Sequence, residues 1–197
     1  MSKQIVMLML LSLLNVTEAS AAGNEDLVKG DLALEKNEPG PAIGYYTQAI
    51  DSDELGQAEL RDAYWGRAVA NFDKNLDDLH IEHSNRVDGF ENCIEDLEAA
   101  RSYGKEMDVD FYMKRGQCSE QVGLKNEAIT AYLKVLDLEA SLRDRALSIY
   151  SLGNLHRDQG AMNEAALYFG ECADGDPASR VTKGCQRELN KLTAVAE

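Results

Sequence analysis

Small, apolar and aromatic positions recur along the chain in one arrangement. Gly30, Ala42, Tyr46 and Ala49 stand 12, 4 and 3 residues apart, and Gly116, Ala128, Tyr132 and Val135 repeat those separations. Gly153, Ala165, Phe169 and Cys172 repeat them once more. Steps of 3 and 4 keep residues on one face of an α-helix. The arrangement therefore predicts helix pairs in which a glycine of the first helix faces a small residue of the second, so that the two backbones approach closely. The aromatic one turn later fills the groove that this approach leaves. Between the two helices, Gly123 to Glu127 and Gly160 to Glu164 read as turns: the glycine stops the first helix, and Asn126 or Asn163 is expected to cap the second. Asp176-Pro177 closes the last pair. Beyond it, Val181, Cys185, Leu189 and Leu192 form a single apolar stripe, with Arg180, Lys183, Arg187 and Lys191 on the other side of the same predicted helix.

These residues resemble the tetratricopeptide repeat (TPR) family, and the resemblance extends over roughly residues 23–177. It implies an all-α fold: a right-handed α-solenoid of about four TPR-like helix pairs with a C-terminal capping helix. The units are expected near 23–56, 59–104, 109–142 and 146–179, and the capping helix at 177–195. The first unit departs from the pattern, because Asn37-Glu38-Pro39-Gly40-Pro41 replaces the usual turn. The second departs further. Its first helix carries Tyr64-Trp65-Gly66, and Phe90 to Ala100 reads as its second helix with Cys93 in the small position. Gly66 and Cys93 are 27 residues apart where 12 would be regular, which places an insertion near 73–88.

The resemblance also implies where a partner binds, since the first helix of each such pair lines a concave surface. The residues following the packing glycines are Asp31, Arg67, Gln117 and Asn154. Their neighbours one turn along are Asn71, Gln121 and Asp158, with Lys114 and Tyr150 one turn earlier. The expected peptide-binding groove is Tyr64, Arg67, Asn71, Lys114, Gln117, Gln121, Tyr150 and Asn154, with Tyr64 or Tyr150 as the apolar anchor. The lysine–asparagine clamp that some family members use for a C-terminal carboxylate does not map onto these positions.

The start of the chain reads as an address. Lys3, the apolar run Ile5 to Leu14 and the small residues Ala19-Ser20-Ala21 follow the secretory pattern. Residues 1–21 are the expected signal, cleaved after Ala21, and 22–197 the expected repeat domain. The apolar run is about half the ~20 residues a membrane-spanning helix needs, so no membrane insertion is expected after cleavage. A periplasmic or secreted protein follows.

Composition sharpens the partner class. The 197 residues hold 20 Lys and Arg against 35 Asp and Glu, a formal net charge of −15. Sequence-independent binding to nucleic acid or anionic lipid needs the opposite surplus. Four cysteines behind a secretory signal favour disulfides. Three pairings are open, and the helix assignment predicts Cys93–Cys118 and Cys172–Cys185. Chemistry is sparse. His80 and His83, beside Asp77 and Asp78, read as a polar loop and not as a metal site, and His156 reads as a packing residue. No catalytic residue, metal or cofactor is expected. The sequence thus points to a non-enzymatic exported protein that binds a protein or peptide partner in its groove, as an adaptor or assembly factor. The alternative is a structural subunit of an envelope assembly, with the insertion and the capping helix as its contact surfaces.

Overall fold

The computed structural model describes residues 23–77 and 83–195, and these are helix and turn with no strand. The helices are α1 (residues 23–35), α2 (Pro39–Asp51), α3 (Gln57–Asp77), α4 (His83–Ser102), α5 (Val109–Gln121), α6 (Lys125–Asp137), α7 (Leu142–Asp158), α8 (Met162–Ala173) and α9 (Arg180–Val195). The expected signal segment and its cleavage point fall outside the described residues. The chain divides into two compact units, Met1–Glu106 and Met107–Glu197. In the first, α2 packs on α3 and α3 on α4; in the second, α5 packs on α6, α6 on α7, α7 on α8 and α8 on α9.

The recurring small and aromatic residues form the core as their spacing predicts. Ala42-Tyr46-Ala49, Ala128-Tyr132-Val135 and Ala165-Phe169-Cys172 are all buried. The irregular second helix obeys the same rule with a substitution: Cys93, Leu97 and Ala100 are fully buried, with leucine in the aromatic place. The glycines opposite are steric requirements. A Cβ on Gly153 would lie 2.6 Å from the Phe169 ring, and one on Gly116 2.8 Å from the Tyr132 ring. Tyr46 is held from two sides, because a Cβ on Gly30 or on Gly66 would collide with its ring. So α1 and α3 both close on one aromatic of α2.

Four helices stop in the same way. Gly104, Gly123 and Gly160 have φ of 94°, 81° and 80°, and Asn37 takes the same left-handed conformation at 59°. Each supplies an N–H to the carbonyl three residues back, and the following residue bonds five back, as in Leu124 to Ser119 at 2.9 Å and Glu38 to Ala33 at 2.9 Å. This pairing satisfies the last carbonyls of a helix. Asparagine is the residue that best replaces glycine there, which is how the atypical 37–41 segment still makes a regular turn.

Two local expectations are corrected. Asn126 and Asn163 do not cap α6 and α8; the cap positions are Leu124 and Ala161, with no side-chain cap bond. The left-handed glycine already fixes the entry to the second helix, so the asparagines fall within its first turn. Pro177 does not begin α9 either. It lies in the turn before it, and the Ser179 hydroxyl accepts from the Val181 N–H at 3.2 Å. The expected insertion near 73–88 is largely helical: residues 73–77 continue α3 and 83–88 open α4. Thus α3 and α4 reach 21 and 20 residues, against 13 for α5 and for α6.

Candidate functional site

In the first unit, Tyr64, Arg67 and Asn71 lie on α3, and none of the three side chains is idle. Arg67 donates from Nε and Nη2 to the two oxygens of Asp96 on α4, at 2.9 and 2.7 Å, and from Nη1 to Thr47 on α2 at 3.1 Å. Side-chain exposure is 21% for Arg67 and 6% for Asp96, so the pair is largely shielded from water. Asn71 donates to Asp96 at 3.4 Å, and its backbone carbonyl accepts from Asn75 at 2.5 Å. Burial pushes the Asp96 carboxyl above its usual range, and the bonds and charge from Arg67 draw it back only in part. Bidentate geometry and full hydrogen bonding are the conditions under which a shielded ion pair holds together, and removing one partner costs ~3–5 kcal/mol. Around it lies a cleft of about 200 Å³, lined by Ile43, Thr47, Asn92 and Glu95 as well as the pair. Its lining comes from α2, α3 and α4.

Tyr64 stacks on Tyr103 with ring centroids 5.7 Å apart and planes 7° from parallel. The Arg67 guanidinium carbon sits 5.4 Å from the Tyr64 ring centre. The two tyrosines wall a second cleft of about 480 Å³, together with Asp51, Asp53, Leu55 and Leu60.

In the second unit, Lys114, Gln117 and Gln121 stand on α5, and Tyr150 and Asn154 on α7. Tyr150 is not an open anchor: it packs on Phe169 with centroids 6.0 Å apart and belongs to the core shared by α7, α8 and α9. Lys114 and Gln117 are half-buried, Gln121 is exposed and Asn154 half-buried. No hydrogen bond engages the amides of Gln117, Gln121 or Asn154 among the described residues. The i, i+4 spacing puts Gln117 and Gln121 on one face of α5, and α5 touches α7. The eight expected groove residues therefore split. Those of α3 serve the first unit's own packing, while the amides of α5 and α7 are uncommitted.

Buried phenols show what a neighbouring position does instead. The Tyr46 hydroxyl donates to Asp31 at 2.8 Å, and that of Tyr132 to Glu120 at 2.9 Å. Asp31 follows a packing glycine, where the sequence places a groove residue, yet it serves the buried tyrosine. Burial raises the Glu120 carboxyl above its ordinary range, and the Tyr132 and Ser151 hydroxyls offset part of that.

Cysteine chemistry is structural. Cys172 and Cys185 form a disulfide with Cα atoms 5.8 Å apart, joining α8 to α9. Cys93 and Cys118 are each in a disulfide as well, and no described cysteine is free. Val181, Leu189 and Leu192 pack against the α7–α8 core beside that bridge. The opposite side of α9 exposes Arg180, Lys183, Arg187 and Lys191. His156 stacks on Tyr168 with centroids 5.3 Å apart. His80 lies outside the described residues; among those described, no cluster of three or more His, Cys, Asp or Glu is placed to hold a metal. No described helix is long and apolar enough to cross a membrane.

The family model for the tetratricopeptide repeat matches residues 109–142, the segment containing α5 and α6. No curated protein matches the chain.

Proposed function

We propose that this chain, whose residues 109–142 match the tetratricopeptide repeat, a class whose general business is protein–protein interaction, is an exported binding protein. It recognises a protein or peptide partner along the first helices of its pairs and works as an adaptor or assembly factor, without a catalytic step. The observation behind this is the set of uncommitted amides, Gln117 and Gln121 on α5 and Asn154 on α7. An amide offers both donor and acceptor, so a row of them matches the alternating N–H and C=O groups of an extended peptide. Lys114, one turn before Gln117, adds a positive charge to the same helix. Export is supported by the signal-like first 21 residues and by four cysteines, all of them oxidised, as persists in secreted and periplasmic proteins.

Arg67 and Asn71 are set aside as ligand groups, because their hydrogen bonds already hold α2, α3 and α4 together. The test is affinity capture from an envelope extract with the exported chain and its Gln117→Ala/Asn154→Ala variant. Both side chains are half-buried but make no hydrogen bond within the described residues, so truncation should cost about 1 kcal/mol each, a small fall in melting temperature beside the loss of partner retention. Equal retention by both proteins moves the binding surface away from α5 and α7 and toward the α3–α4 extension or α9.

A further inference from the structure

The two clefts of the first unit differ in charge. In the first, Arg67 already neutralises Asp96. The second holds Asp51 and Asp53 with no basic side chain among its described lining residues. Neither carboxylate takes a hydrogen bond or ion pair within the described residues, and Asp51 feels the Arg67 charge only at a distance. Asp51 ends α2, Tyr103 directly follows α4, and Leu55 and Leu60 flank the start of α3, so helix ends of both signs meet here and the cleft's negative charge is that of its two carboxylates. The remaining walls are the Tyr64–Tyr103 stack and the apolar side chains of Ile50, Leu55 and Leu60. Two unpaired carboxylates, a pair of aromatic rings and an aliphatic wall are complementary to one kind of group: a long side chain with an apolar stem and a flat cation at its end.

We propose that this cleft binds an arginine side chain presented by a basic segment of a protein partner. Leu55 and Leu60 would cover the methylene stem, and Asp51 and Asp53 would accept the forked N–H groups of the guanidinium. The Tyr103 ring would take its flat face, since Tyr64 already stacks on Tyr103 and carries Arg67. The chain carries its own precedent one turn away. Arg67 lies over Tyr64 while forking onto Asp96, so the proposed ligand repeats a contact that the fold already makes. At about 480 Å³ the cleft is within the ~300–1,000 Å³ of small-ligand pockets. It has room for one such side chain and its flanking backbone. The net charge of −15 draws a basic partner in from a distance. A free polyamine would share the carboxylates but makes no use of ring stacking by a planar cation.

This rests on the reading of the chain as a partner-binding protein, yet it concerns a different surface from the α5 and α7 amides. The full exported chain is titrated at low ionic strength with acetyl-Ala-Arg-Ala-amide, with the matching glutamine peptide and with spermidine, following the Tyr64 and Tyr103 ring resonances by NMR. The control is Asp51→Asn/Asp53→Asn, since asparagine accepts the φ of 57° at position 53. Tyr103→Leu removes a ring while keeping bulk. Saturable ring shifts are expected with the arginine peptide and not with the glutamine peptide, weakened roughly tenfold or more in either variant. Equal responses to both peptides, a response unchanged in the variants, or saturation by spermidine but not by the arginine peptide would each overturn the proposal. If the peptide gives no response while capture still depends on Gln117 and Asn154, the cleft is discarded and the partner-binding reading stands. The converse result discards the amide row alone.

Discussion

Single residues here are set by what they must not touch. Gly153 lies against Phe169, so Gly153→Ala forces a methyl to within 2.6 Å of the ring, and overpacking of this kind costs ~1–3 kcal/mol. Gly44, inside α2 with nothing within 4 Å of a new Cβ, should behave oppositely: Gly44→Ala should stabilise by ~0.5–1 kcal/mol. Chemical denaturation of both variants checks the opposite signs. Glu120 gives a pH signature. Its folded carboxyl is raised by burial above the ordinary 4.5, so the native state prefers the protonated form. The contribution is complete below the unfolded value and is lost as pH rises through the folded one. Glu120→Gln should therefore gain most over the parent at pH 7.5 and lose that gain toward pH 4.5, read as the difference in melting temperature. A difference that grows on acidification refutes it. The packing glycines were legible in the sequence because a steric requirement leaves only one residue type. Arg67 was not, because its role depends on Asp96, 29 positions away, and no spacing rule joins an arginine to that aspartate.

At the scale of elements, α9 depends on its neighbours. Its apolar stripe of Val181, Cys185, Leu189 and Leu192 faces α7 and α8, and the Cys172–Cys185 bridge closes a short loop of 13 residues. Arg157 of α7 also reaches Glu188 at 2.9 Å. Removing a bridge over a loop of this size costs ~3 kcal/mol on the chain-entropy view. Cys172→Ser/Cys185→Ser should accordingly lose hydrogen-exchange protection in α9 first, with α5 and α6 little changed. Uniform loss across the second unit would mean that α9 is part of its cooperative core. The stripe was readable because an amphipathic helix has a fixed period. The helix starts were less so. A left-handed glycine and an asparagine two or three residues later both signal a boundary, and only the backbone shows that the glycine had already set it. The extra residues near 73–88 were countable from the sequence, but not that they lengthen α3 and α4, since a polar stretch with weak periodicity reads as a loop.

For the chain as a whole, charge and oxidation state are the properties to test. All four cysteines are bonded, so alkylation of the unfolded protein without reductant should label none of them, and prior reduction should expose four. Labelling before reduction would remove the chemical support for an oxidising compartment. The repeat architecture was legible because the same arrangement is written three times, and each copy corroborates the others. Which first-helix side chains stay uncommitted was legible only in part. Repeat phase locates the first helices, but whether a polar side chain on them faces a ligand or an internal partner is decided by residues on other helices. Asp31, Arg67 and Asn71 are engaged by internal partners for that reason, while the amides of Gln117, Gln121 and Asn154 are not. The Asp51–Tyr103 cleft left no periodic trace, because its walls come from two helix ends and a turn.

The Tyr46 ring, lodged between Gly30 and Gly66, also acts as a clock. A phenol ring must rotate by half a turn to exchange its two edges, and this one can do so only when α1 and α3 draw apart together. Its flip rate therefore counts the breathing of three helices, on timescales that a static set of distances does not contain. Separate resonances for the two ring edges, merging on warming, would time that opening directly.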